Sequence, residues 1–204
     1  MNQILQPGGE NEDKAWVTVQ TPLPIAELRS FCAQIEHLYR INPYLDFEHW
    51  QATGPDSFRT AFHNHSNNRD VVLDISLKRE SEDVFSVHYA QGIKQFTRFQ
   101  LEPTADGSRL TITDDYSKLG TAERQTHQAD VDRSLPGWGH ALYEFFRRWK
   151  RWSRFGPWRW YMYRVWMPMK PSSRRVTWML VLITAVEFLF FLFVLLIYLV
   201  EQNR

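Results

Sequence analysis

A single cysteine, Cys32, stands among 204 residues, so no intramolecular disulfide can form and a reducing compartment suits the chain. It lies among apolar residues at helical spacing and reads as buried filler rather than a nucleophile. The nine glycines are scattered, and no phosphate-cradling loop, nucleophile elbow, zinc spacing or calcium loop is present. The opening stretch "MNQILQPGGENEDKAW" is polar and acidic, with no charged start running into an apolar segment. Neither a secretory leader nor a transit peptide is expected from it. Acidic residues are also missing from one long internal stretch: residues 145–175 hold ten Lys/Arg and no Asp/Glu.

That gap hides behind a formal net charge of +1. Residues 1–144 carry 13 Lys/Arg against 21 Asp/Glu, a charge of −8. So sharp a segregation points to a specific partner for the basic segment.

The apolar run directly after the basic segment indicates that partner. Residues 176–200 read "VTWMLVLITAVEFLFFLFVLLIYLV", 25 residues with one charge. As a helix rising 1.5 Å per residue this is roughly 37 Å long, enough to cross a hydrocarbon core of about 30 Å. The one charge, Glu187, costs about 3 kcal/mol near the centre, and the surrounding Leu, Ile, Val and Phe each contribute about −0.3 to −0.6 kcal/mol. Insertion wins. Glu187 is then either protonated in lipid or a contact for a polar group on another transmembrane helix of a partner protein. Only "EQNR" remains after the run, so a tail-anchored protein is expected. Ten basic residues before the span and one after it place the N-terminal part in the cytoplasm, with a bacterial inner membrane the preferred site.

The stretch "RRWKRWSRFGPWRWYMYRVW" can now be read. Trp138, Leu142, Phe145, Trp149 and Trp152 recur at helical spacing with basic residues on the other face. After Gly156-Pro157, a collar over residues 154–175 carries Arg154, Trp158, Arg159, Trp160, Tyr161, Tyr163, Arg164, Trp166, Arg174 and Arg175. Aromatic rings favour the headgroup layer and arginines pair with lipid phosphates there. Arginine with aromatics can also grip single-stranded nucleic acid, but beside a membrane-length apolar run the expected partner is lipid and not nucleic acid.

Residues 14–153 behave as a folded domain, preceded by a polar tail over 1–13. "KAWVTVQ" alternates as a first strand. Ile25, Leu28, Phe31, Ile35 and Leu38 then follow helical spacing behind Pro24, until Asn42-Pro43 stops the run. Six strands are expected over 45–52, 57–64, 70–78, 84–90, 94–102 and 109–117, joined by the turn-like "TGPD", "SNNR", "ESED" and "ADGS". Their alternation gives one apolar face, and a long amphipathic helix beginning near Asp130 is its natural cover.

This order, carried by "KAWVTVQTPLPIAELRSFCAQIEHLYRINPYL" and "TRFQLEPTADGSRLTITDDY", resembles the helix-grip fold of the START-like (SRPBCC) superfamily. That fold is an α+β antiparallel sheet wrapped around a long C-terminal helix. The resemblance implies a cavity for a hydrophobic small molecule such as a lipid or isoprenoid quinone, with Phe62, Leu73, Phe85, Tyr89, Phe99, Tyr116, Trp138, Leu142 and Phe145 as candidate lining. It also leaves open a cyclase- or hydrolase-like enzyme, or an accessory subunit of a membrane complex.

On the inferred inner face, His49, Asn64, Asp114 and Tyr116 could orient a polar head group or move a proton. Asp114 and Asp115, adjacent on a strand, face opposite ways and cannot hold one substrate together. His63 and His65 share an outward face without further ligands. No metal and no cofactor is expected.

Overall fold

The computed structural model describes residues 14–118 and 121–203, with backbone alone over 121–133. The tail expected over 1–13 and the final residue of the chain lie outside the described residues. The chain divides into two units, 1–168 and 169–204.

The first unit opens with β1 (Lys14–Thr21), followed by two short helices, α1 (Ile25–Cys32) and α2 (Ile35–Ile41). Helical spacing runs through both, but the chain breaks at Ala33-Gln34, where Gln34 has left helical geometry (φ −100°, ψ 85°). The break lets α1 bury Leu28, Phe31 and Cys32, and α2 bury Ile35, Leu38, Tyr39 and Ile41. Pro43 disfavours helical geometry at Asn42, which ends α2 in extended backbone.

Six strands follow: β2 (Leu45–Gly54), β3 (Ser57–Asn64), β4 (Arg69–Arg79), β5 (Val84–Tyr89), β6 (Phe96–Thr104) and β7 (Gly107–Asp115). All pairings are antiparallel and the sheet order is β1-β7-β6-β5-β4-β3-β2. Strands β2 to β7 form a meander, each beside the next in sequence, and β1 closes against β7. The long helix α3 (Thr121–Trp152) covers the apolar face. It begins well before Asp130, because its polar first turns, "TAERQTHQAD", give no apolar periodicity to read.

This is the α+β helix-grip arrangement. Leu28, Leu38, Phe99, Leu110, Ile112, Leu142 and Phe146 are essentially free of solvent at its centre. A bidentate ion pair from Arg29 to Asp83, at 2.6 and 2.7 Å, ties α1 to the chain entering β5. It raises the guanidinium and lowers the carboxyl from their ordinary values, the direct hydrogen bond being the main cause.

The folded unit runs past residue 153. After α3 come α4 (Gly156–Tyr161), opened by Pro157, and a π-helical turn over Met162–Trp166. Met162 and Met167 are core residues, and Trp158, Tyr163 and Trp166 pack against the core. Tyr163 lies 5.2 Å from both the His37 and Trp149 rings, and Trp166 stacks on Phe145 at 5.8 Å. Part of the collar read from the sequence is therefore domain wall.

The second unit holds α5 (Pro171–Gln202), 32 residues long, with a mean hydropathy of 3.0 over its apolar window. Among the described residues it is the one helix long and apolar enough to cross a membrane. It extends beyond 176–200 at both ends and takes in Glu201 and Gln202, expected as tail. Its side chains from Val176 to Val200 lie largely exposed, Glu187 among them.

Candidate functional site

Between the concave face of the sheet and α3 lies a cavity of about 240 Å³. Its wall is mostly apolar and aromatic: Phe47 and Trp50 from β2, Phe62 from β3, Val71, Leu73 and Ile75 from β4, Leu135 and Trp138 from α3. Asn64, Ser66, Asn67 and Arg69 bring polar groups from the β3–β4 turn, and Tyr39, Tyr89, Lys94 and Tyr116 form a polar cluster in the wall.

Of the nine candidate lining residues, Phe62, Leu73, Tyr89, Tyr116 and Trp138 do line this cavity. Phe85, Phe99, Leu142 and Phe145 are core packing instead. Phe85 stacks on Phe99 at 4.8 Å, and Phe145 sits among Phe31, Phe146 and Trp149. Alternation identifies an inward face but cannot say which inward residues meet empty space.

Asn64 lines the cavity, its Oδ1 accepting from the amide and hydroxyl of Ser66 at 3.0 and 2.7 Å. His49 does not. The register shifts between Phe47 and His49, and this β-bulge adds a residue that reverses the alternation beyond it. Phe47 and Trp50 therefore face inward, while Glu48 and His49 are exposed. The inward placement of His49 is thereby corrected, and Trp50 takes the position in the wall.

Asp114 lies behind the cavity with no solvent exposure. Thr97 donates to its Oδ1 at 2.5 Å, Tyr116 donates to Oδ2 at 3.3 Å, and the Lys94 ammonium pairs with Oδ2. Beyond Thr97 the contacts continue: Tyr89 Oη lies 2.8 Å from Thr97 Oγ1, and Tyr39 Oη lies 2.5 Å from Tyr89 Oη. Asp115, on the opposite face as expected, is nevertheless buried and takes Lys14 at 3.8 Å.

Burial lifts all three phenols above the ordinary tyrosine value, so they stay neutral. Burial is the largest single influence on Lys94 and alone would lower it, but Asp114, Tyr116 and Tyr89 together hold the ammonium above its usual value. Its side chain keeps 28% exposure. Burial likewise pushes the Cys32 thiol up, in keeping with a filler role. Trp138 Nε1 donates to the Leu38 carbonyl at 2.9 Å, which uses its only polar hydrogen and ties α3 to α2.

Tyr39, Trp50, Thr60, Lys94 and Thr97 were not singled out from the sequence. Tyr39 sits beside Leu38 at the border of an apolar helical face, and Lys94 follows a loop, "QGI", that carries no periodicity. No group of His, Cys, Asp and Glu suited to a metal occurs among the described residues. His63 and His65 face each other at 4.7 Å on the outer side of the sheet, His63 bonded to Asp70.

The sheet, the helix across it and the cavity between them define a helix-grip fold. Solved structures share it. A START superfamily protein from Mycobacterium smegmatis matches with a TM-score of 0.55 at 16% identity, covering 67% of this chain and 98% of its own. The Zhui aromatase/cyclase from Streptomyces sp. R1128 matches with a TM-score of 0.55 at 15% identity, covering 69% and 96%. A protein from Rhodobacter sphaeroides matches with a TM-score of 0.50 at 12% identity, covering 70% and 97%. The similarity is one of fold, and about a third of this chain has no counterpart in them. No family model and no curated protein matches the sequence.

Proposed function

We propose that this chain is a membrane-anchored helix-grip protein that binds a hydrophobic small molecule, a lipid or isoprenoid quinone, for transfer or presentation at the membrane. The observation that carries this reading is the cavity of about 240 Å³, walled by aromatic and aliphatic side chains with a few convergent polar groups. That volume is below the roughly 300 Å³ at which pockets for whole drug-sized ligands begin. The cavity suits a compact ring or head group, with any longer tail leaving past the β3–β4 turn.

The anchor reading rests on α5. Beside it in sequence, the first unit exposes Trp152, Phe155, Trp160 and Tyr161, interleaved with the exposed Arg151, Arg154, Arg159 and Arg164. Exposed aromatics among arginines suit the headgroup layer of an anionic leaflet. An accessory subunit of a membrane complex is the second reading. It is supported by Glu187, an acid midway along an otherwise apolar helix that has reason to seek a polar partner.

Native mass spectrometry with lipid extraction, on the full chain purified in mild detergent, separates the two. The binding reading expects one hydrophobic species per chain, lost when Leu73→Trp fills the cavity. An empty cavity with a stoichiometric membrane protein that leaves on Glu187→Leu would favour the subunit reading.

A further inference from the structure

The hydroxyl chain behind the cavity has a direction, and that direction says what the ligand must present. Each hydroxyl carries one hydrogen, and an ionised carboxylate carries none. Asp114 is approached by Lys94 and Tyr116 on one oxygen and by Thr97 on the other, so it accepts from all three. Thr97 spends its hydrogen there. The 2.8 Å contact between Thr97 and Tyr89 then requires Tyr89 to donate, and the 2.5 Å contact between Tyr89 and Tyr39 requires Tyr39 to donate. The opposite polarity would set two lone pairs against each other at hydrogen-bond distance. Chains of this kind reinforce one another in a low-dielectric interior.

Tyr39 is the free end of the chain and lines the cavity. With its hydrogen committed to Tyr89, its oxygen offers only lone pairs. We infer that Tyr39 Oη is a hydrogen-bond acceptor for the ligand, which selects a hydrophobic molecule bearing a hydroxyl, such as an apolar alcohol, a phenol or the hydroquinone form of a quinone. This rests on the ligand-binding reading above and sharpens it. A carbonyl or ether oxygen at that place meets lone pairs without a hydrogen between them. Thr97 is wholly buried and is not part of the cavity wall, so it acts as a positioning residue that sets the polarity of Tyr39 from behind.

The test uses two probes on one ring system, 2-naphthol and 2-methoxynaphthalene, which share an acceptor oxygen but differ in that a methyl group replaces the hydroxyl hydrogen. Binding to the full chain is measured by calorimetry at fixed detergent concentration, with Leu73→Trp as the blank for micelle partitioning. Naphthol is expected to bind about tenfold tighter, the difference one ligand hydrogen bond makes in a buried site. Thr97→Val frees Tyr89 to donate to Tyr39 and Tyr39 to donate to the ligand, so the ratio should fall below about threefold. Methoxynaphthalene should bind no more weakly. Thr97→Ser should keep the native ratio. If Thr97→Val fails to fold, Tyr89→Phe carries the same prediction, since it too releases the Tyr39 hydrogen. Equal binding of both probes to the native chain overturns the inference and leaves the ligand-binding reading standing. A preference that persists unchanged in Thr97→Val overturns it as well. Binding of neither probe counts against both.

Discussion

Asp114 concentrates the risk of the buried polar cluster in one side chain. A lysine ammonium and two hydroxyls converge on a carboxylate with no solvent exposure. Removing one member of a buried pair strands the other, and such changes cost about 3–5 kcal/mol. Asp114→Ala should destabilise the first unit by about 3 kcal/mol in a denaturant titration, and adding Lys94→Met should recover part of the loss. On the outer side of the sheet the pair of His63 and Asp70 is small but directional in pH. Asp70, 2.7 Å from Nδ1, raises His63 above 6.5. A raised value means that the pair is fully present below 6.5 and lost as pH rises through the higher folded value. A proton NMR titration should place the His63 midpoint above 6.5, and Asp70→Asn should bring it down. The cavity residues the sequence concealed belong to this scale too. Trp50 and His49 exchanged roles because a bulge leaves no compositional mark, and Lys94 became visible only when Asp114 was seen beneath it.

At the scale of elements, helix α3 approaches β1 as closely as it does because Gly139 carries no side chain. A Cβ there would stand 2.5 Å from Val17 Cγ2, and the branched Val17 has little freedom to yield. In an exposed helix, glycine to alanine gains about 1 kcal/mol. Here overpacking, at about 1–3 kcal/mol, offsets or exceeds that gain. Gly139→Ala should therefore lower the thermal midpoint, and Val17→Ala added to it should restore most of the difference. The strands were legible because alternation repeated in one segment after another is the mark of a sheet with one buried face, whereas the pairing of β1 with β7 was not. The start of α3 was not, since its first turns carry no apolar stripe. The collar over 154–175 misled for a different reason. Tryptophan and tyrosine beside arginine satisfy the membrane interface and a domain wall equally well, and only packing shows that Trp158, Tyr163 and Trp166 serve the core while Trp160 stays exposed.

For the molecule as a whole, the distribution of charge decides more than its sum. An acidic region of net −8 precedes ten basic residues that lead into α5. Short basic flanks resist translocation, whereas acidic residues contribute little to orientation. The acidic domain is therefore no obstacle to the side chosen by the arginines, and the proposed topology keeps it on the cytoplasmic face. On that face, anionic lipid would attract the basic segment by about 1 kcal/mol for each well-placed cation and repel the acidic surface. Under the proposed reading this would hold the domain near its ligand's source without its lying flat on the surface. In sealed inverted vesicles from an expressing bacterial host, added protease should digest the first unit and leave a fragment containing α5. In intact spheroplasts the first unit should survive. Replacing Arg174, Arg175, Lys170 and Arg164 by Ala, with basic residues added after Gln202, should raise the fraction of chains protected in inverted vesicles. An unchanged digestion pattern would show that something other than the basic flank sets the orientation.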